Sequence, residues 1–536
     1  MDERRVDRWS AAVLLLWACT AFWAASPRAV GLFSDDGIYL STGRALAFEG
    51  DYRLTNLPGR YAQTKYPPLW PATLAGVWRL CPEQPRAERV AQGLAIFLTA
   101  LSWWLFRRVA SRRLGVSPVA SLAVVILPVA SPALFVSACW PLSEPLFGAL
   151  CAGALLAATD AAGEAPSVRR QWLAGGLAAA AFLTRIHGVA FLVALAGAWL
   201  VVRRRDAAIR AVLPGALAMG GWLLWTKVHE VAVTPLVSYY TSYRHSGLDW
   251  ETSGIRRQAA DFLLEIARAL EHFGGLLLGE NGLGSWLLGG GVTIFVVAGA
   301  RRLVRERRLP AILWLGAGIG IVALQPDPSA RFLVSMLPLA IAVAGRAGPL
   351  PLGRRLAPLL VGALALSGLS EIAIEIAERD ASVLPTPRSL ASESSELASF
   401  DATAAFLRAN VSEGEAIAAA NDLWFHLETG RPVLRFWLYR PRLLARARHG
   451  GGLPTVGDPP EILAELSELG VRWLVIEPGS SDRFLEGPRI LELGRAIVAL
   501  PEAGAERRFL SPDRAHEVWH LDPVARGRSA AAPVER

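Results

Sequence analysis

Long apolar runs separated by short arginine-bearing stretches fill the first two thirds of the chain. Candidate spans lie at 10–32, 88–106, 116–137, 143–160, 171–185, 187–202, 211–229, 283–300, 309–325, 331–345 and 356–377, about eleven helices near the length that crosses a hydrocarbon core. With Arg4, Arg5 and Arg8 on the cytoplasmic side, the basic stretches 107–113, 169–170, 203–210, 301–308 and 346–355 all fall on that side too. Loops 33–87, 138–143, 230–282 and 326–330 are then external, as is everything after about 378. One apolar stretch, 66–80, breaks the alternation. It is short, opens with Pro67 and Pro68 and contains Pro71. Counted as a span it would put Arg107, Arg108, Arg112 and Arg113 outside, so it reads as an interfacial or re-entrant helix.

The tail has a different pattern. Residues 379–397 are polar and rich in small side chains and read as a linker. Strand-like runs at 416–420, 433–437, 471–477 and 517–521 then alternate with helical patterns at 400–408 and 461–469. The fold class expected is a mostly α membrane protein, spanning 1–378 with interfacial helices in its first external loop, plus a small external α/β domain over 398–526. Residues 527–536 are expected to be a disordered tail.

Composition narrows the class. At 53% hydrophobic over 536 residues, the chain is a polytopic membrane protein rather than a soluble enzyme. Its net charge of +8 is distributed in topological clusters rather than along one basic face, which excludes nucleic acid as a partner. Cys19, Cys81, Cys139 and Cys151 show neither CxxC nor Cys/His spacing, so no zinc site or disulfide framework is signalled. The first apolar run, 11–33, lacks a small-residue cleavage site and reads as an uncleaved helix.

Positive charge is written almost entirely as arginine; the only lysines are Lys65 and Lys227. Lys65 shares the first external loop with the carboxylate pair Asp35 and Asp36. Those acids read either as solvated groups capping a helix that starts near Gly37, or as a base held at the headgroup level by an interfacial helix. Ser34-Asp35-Asp36-Gly37-Ile38-Tyr39, the helix at Ala45-Leu46, Gly50-Asp51-Tyr52 and Lys65-Tyr66-Pro67-Pro68-Leu69 resemble the first external loop of GT-C type membrane glycosyltransferases. Bacterial relatives of the dolichyl-phosphate-mannose protein mannosyltransferases and of the lipid A aminoarabinose transferase are the nearest in pattern. In that family the loop reads Asp-Glu, a nearby Tyr, then Lys-Pro-Pro-Leu. Here Asp36 replaces the Glu, and Tyr66 separates Lys65 from the prolines.

The resemblance implies transfer of a sugar from a polyprenyl-phosphate carrier to a lipid, glycan or protein acceptor at the external face of a bacterial cytoplasmic membrane. Asp35 is the expected general base, Asp36 its support, and Lys65 the cation for the departing phosphate. Glu144, in the second external loop, matches an acid that the family commonly carries there; a satisfied helix-start carboxylate is the alternative. Arg185, beside His187 at an external junction, fits phosphate binding or ion pairing equally. Arg331 resembles an arginine near the family's late helices, with Asp327 as an alternative partner. Tyr39 belongs to the first-loop motif. Tyr239, Tyr240, Tyr243, Arg244 and His245 in the long loop suit sugar stacking or covering the active site, with anchoring in headgroups as the alternative. Asn421-Asp422 and 428–432 resemble a turn of such external domains and are assigned to scaffolding.

No cofactor is expected. A divalent cation would be gathered only if Asp35, Asp36 and Glu144 converge, and related polyprenyl-monophosphate users mostly do without one. Two other readings stand beside the enzyme: a transporter or flippase for a lipid-linked saccharide, disfavoured by the lack of repeated halves, and a catalytically inactive scaffold of the same fold.

Overall fold

The structure is a computed structural model that describes residues 2–25, 30–31, 35–158, 167–242, 283–323, 333–347, 394–437, 458–477 and 487–522, with some positions between 266 and 277 and between 361 and 372. It is mostly helical, with one small sheet near the C-terminus.

α1 (Glu3–Ala24) starts earlier than the expected span because the Asp2 carboxylate caps it, accepting from Arg5 N at 2.7 Å. α2 (Asp35–Phe48) and α3 (Leu69–Leu80) belong to the first loop. They lie closely together. A Cβ on Gly43 would meet Leu74 Cβ and the Pro71 carbonyl at 3.0 Å, and Trp78 Nε1 donates to the Leu40 carbonyl at 3.0 Å. At twelve residues α3 is too short to cross a bilayer upright.

α4 (Gln84–Arg112) is a single long apolar helix. The span expected at 116–137 is instead two short helices, α5 (Ala123–Val129) and α6 (Pro132–Ala138), with a 69° bend between helical stretches 120–129 and 132–138. Pro128 and Pro132 remove backbone donors around the bend, and Ser131 caps α6 by accepting from Leu134 N. α7 (Glu144–Ala158), α8 (Val168–Thr184), α9 (Gly188–Val201), α10 (Arg205–Val228), the short α11 (Pro235–Thr241), α12 (Leu283–Arg305), α13 (Leu309–Ala323) and α14 (Leu337–Ala344) follow. Among the described residues three helices are long and apolar enough to cross a membrane on their own: α4, α10 and most of α12.

Four of the basic stretches converge at one end of this bundle. Arg107, fully buried, pairs with Glu3 at 3.2 Å and with Asp7, and Arg112 reaches Asp7 at 3.2 Å. Arg308 donates to the Arg113 carbonyl, while Arg346 donates to the Gly115 carbonyl at 2.7 Å and pairs with Glu306. Four stretches assigned to one side from charge alone are thus joined by direct contacts.

At the other end sits the C-terminal portion. α15 (Ser394–Asn410) leads to β1 (Ala416–Ala418), α16 (Asp422–Thr429), β2 (Val433–Leu434), α17 (Pro459–Glu468), β3 (Val471–Ile476), α18 (Gly487–Val498), β4 (Glu506–Leu510) and β5 (Glu517–His520). The sheet order is β2-β1-β3-β5-β4, with β1 parallel to β2 and β3, and β5 antiparallel to β3 and β4. Ile417 pairs with Val433, and Leu474 with Trp519. α15 takes in residues 394–397, expected as linker, and Asp422 opens a helix rather than a turn. The rest of that linker, most of loop 230–282, most of the expected span 356–377 and the tail 527–536 lie outside the described residues.

Candidate active site

Asp35 and Asp36 form the first turn of α2, so the helix begins at the acids and not at Gly37. Consecutive helical side chains point about 100° apart, and the two carboxylates diverge. Asp35 is half-buried and its Oδ1 accepts the Tyr66 hydroxyl at 2.6 Å. Asp36 is fully buried, and its Oδ2 accepts from Gly31 N at 2.7 Å. Burial pushes its carboxyl up to about 7, against the pull of the Gly31 and Gly37 N–H groups. Asp36 ties the helix start to the preceding turn, while Asp35 turns toward the loop that carries the lysine.

That loop is held by its own side chains. The Tyr52 hydroxyl donates to the Tyr66 carbonyl at 2.9 Å, Gln63 Oε1 accepts from Lys65 N at 2.8 Å, and Thr64 donates to the Thr241 carbonyl at 2.6 Å. Lys65 is buried. Its Nζ donates to the Tyr239 carbonyl at 2.7 Å and lies 4.2 Å from the Tyr239 ring centroid and 5.2 Å from that of Tyr66. The Tyr66 ring stands edge-on to Tyr39, with centroids 5.0 Å apart.

Through Tyr39 the first loop meets the second. Its hydroxyl lies 3.2 Å from Ser143 Oγ, which accepts from Arg185 Nη1 at 2.9 Å. The same Arg185 nitrogen is 2.8 Å from Glu144 Oε1, with both side chains at least nine-tenths buried. Glu144 and Arg185, singled out separately, are one ion pair; a buried pair of this kind cannot lose one partner without leaving an uncompensated charge. A pocket lined in part by Thr99, Ser102, Ser137, Glu144 and Ser335 adjoins it. α3 closes the connection, because Trp70 Nε1 donates to the Pro141 carbonyl at 2.9 Å.

Asp35, Lys65, Tyr39, Glu144 and Arg185 are therefore linked through Tyr66 and Ser143. Arg331, Tyr243, Arg244 and His245 lie outside the described residues. Among the described residues no three His, Cys, Asp or Glu side chains are grouped as metal ligands.

Two further members of this neighbourhood, Tyr239 and Tyr240, belong to the long-loop cluster singled out in the sequence, whereas two others were missed as site residues. Asp422 was assigned to scaffolding. Arg435 was passed over inside a strand-like run. The Tyr240 hydroxyl donates to Asp422 Oδ2 and accepts from Arg435 N at 3.0 Å. Arg435 lies 3.7 Å from Asp422, and its guanidinium is 3.7 Å from the Tyr239 ring centroid. A single arginine inside the apolar run 433–437 was the available signal for Arg435.

No protein-family model matches the sequence, and no curated protein sequence does. The fold does have known likenesses. ArnT from Cupriavidus metallidurans in the apo state superposes with a TM-score of 0.56 at 14% identity, covering 96% of this chain and 97% of that one. The same protein bound to undecaprenyl phosphate gives a TM-score of 0.58, again at 14% identity and with 96% and 97% coverage. The chain thus has the fold of ArnT along nearly its whole length, the GT-C architecture that the first-loop motif resembles.

Proposed function

We propose that this chain, built on the ArnT fold, is a membrane glycosyltransferase that moves a sugar from a polyprenyl-phosphate donor to a lipid, glycan or protein acceptor, with inversion at the anomeric carbon. The observation that carries the reading is the grouping of Asp35, Tyr66 and Lys65 at the head of α2. ArnT was solved with undecaprenyl phosphate bound, which supports the choice of carrier.

The chemistry follows from the groups. An acceptor hydroxyl or amine attacks the anomeric carbon and passes its proton to the Asp35 carboxylate. The anomeric C–O bond to phosphate breaks, and the electron pair leaves with the carrier phosphate. That phosphate is a weak base and needs no general acid. Lys65 offers a fixed cation where its charge develops, in a buried setting where such an interaction is stronger than in water. The Glu144–Arg185 pair borders the same region and serves in substrate binding. One displacement inverts the centre.

The positive-inside reading supports an N-terminus in the cytoplasm, about eleven spans over 1–378, and an external α/β domain over 398–526 in a bacterial cytoplasmic membrane.

The test uses Asp35→Asn, which keeps shape and the contact with Tyr66 while removing basicity. Membranes carrying labelled polyprenyl-phosphate sugars should show transfer reduced by about 10²–10⁴-fold, with undecaprenyl phosphate still bound. A correctly inserted variant that transfers sugar at the wild-type rate would falsify the assignment of the base.

A further inference from the structure

The C-terminal portion reaches the first-loop lysine through an unbroken set of contacts. Asp422 opens α16, is buried, and is held by the Tyr240 hydroxyl. It faces Arg435, just past β2, whose side chain is only 4% exposed. Arg435 packs its guanidinium 3.7 Å from the Tyr239 ring centroid and 4.4 Å from that of Trp437. Tyr239 in turn receives the Lys65 ammonium on both its carbonyl and its ring. A lysine is a compact charge on a flexible four-carbon stem, so a defined ammonium position needs a fixed acceptor. Here the acceptor belongs to the residue that Arg435 clamps.

We propose that Arg435 is a positioning residue for Lys65, acting through Tyr239, and that Asp422 and Tyr240 hold Arg435 in place. The C-terminal portion then sets where the loop's ammonium stands. A buried Arg–Asp pair is a poor device for stability alone, since apolar replacements commonly do as well. Its guanidinium is planar and stacks on aromatic rings, which suits it to fixing a tyrosine. The significance for catalysis rests on the reading of Lys65 as the phosphate cation; the placement of the lysine does not.

The chain contains only Lys65 and Lys227, and Lys227 is exposed, so amine acylation of the purified full-length protein has an internal reference. The ratio of Lys65 to Lys227 labelling, read by peptide mass spectrometry, reports how firmly Lys65 is held. Arg435→Gln should raise that ratio about tenfold by easing local opening. Arg435→Lys, which keeps a cation by the ring, should restore most of the protection. Tyr240→Phe, the loss of one hydroxyl, should raise the ratio less. If Arg435→Gln does not fold, Tyr240→Phe decides alone. An unchanged ratio in the folded variants overturns the proposal and leaves Arg435 as adhesive between the two parts. Undecaprenyl phosphate added to the wild type should protect Lys65 further. If it does not, while Arg435→Gln still loosens the lysine, the positioning stands and the functional reading of Lys65 falls.

Discussion

Tyr66 is the residue at which this chain departs from the Lys-Pro-Pro-Leu pattern, and it is the one whose hydroxyl meets Asp35 at 2.6 Å. One inserted aromatic carries the lysine's neighbour across to the carboxylate of α2, and its ring also stands against Tyr39. A hydrogen bond to a charged group is among the stronger neutral-donor contacts. Tyr66→Phe keeps the ring and removes the donor, so turnover should fall about tenfold while undecaprenyl phosphate affinity stays unchanged. A matching loss in affinity, with turnover intact, would instead assign Tyr66 to binding. At this scale the sequence was informative about single residues and silent about pairs. Asp35 and Lys65 were visible as an acid and a rare lysine in one loop. That Glu144 and Arg185 neutralise each other at 2.8 Å was not, because forty-odd residues of chain separate them and no local pattern encodes the contact.

At the level of elements, α2 shows why Asp-Asp is followed by glycine. A Cβ on Gly37 would sit 2.6 Å from Leu423 Cβ, and one on Gly31, at φ +93°, would come within 3.0 Å of the Trp424 backbone. α2 and α16 therefore approach at glycines. In an exposed helix Gly→Ala stabilises by up to about 1 kcal/mol, but overpacking a close contact costs about 1–3 kcal/mol, so the clash wins. Gly37→Ala should lower the thermal transition of the purified protein, and a raised transition would show that the two helices part without cost. Other elements record the limits of pattern reading. Four of the five strands were expected at their positions to within a few residues. β4, Glu506–Leu510, was not, since an exposed edge strand carrying Glu506, Arg507 and Arg508 lacks the alternation that marks a half-buried strand. α16 was missed for a related reason: eight residues are too few to establish a helical period.

For the whole molecule, the two ends of the bundle differ in chemistry. Arginines and their acids gather at one end around Glu3, Asp7 and Glu306, while Asp35, Lys65 and the C-terminal portion meet at the other. The C-terminal portion contains its own buried acid. Glu477 is fully buried, and burial pushes it up to about 8 against the N–H groups of Asn421 and Ala420, with the Asp422 charge adding to the rise. Because its folded value lies above the ordinary 4.5, the native state holds a proton that the unfolded chain has released. Its contribution is therefore full below about 4.5, declines as pH rises through about 8, and is level beyond that. Glu477→Gln should be more stable than wild type at pH 8.5, with the difference shrinking toward pH 5, as read from thermal unfolding at both values. A difference that grows toward acid would reverse the sign and show the carboxylate to be charged in the fold. By itself the sequence determined the membrane character, the grouping of four basic stretches at one end, the acid and lysine of the first loop, and most of the C-terminal strands. These are written in local periodicity, charge and span length, which neighbouring residues carry together. Only the tertiary structure decided that Asp35 and Asp36 face apart, that Tyr66 joins the acid to the lysine's loop, and that Arg435 and Asp422 stand behind Tyr239. Those are contacts between segments far apart in the chain, fixed by packing and by the need to partner buried charge, and no short stretch of sequence contains them.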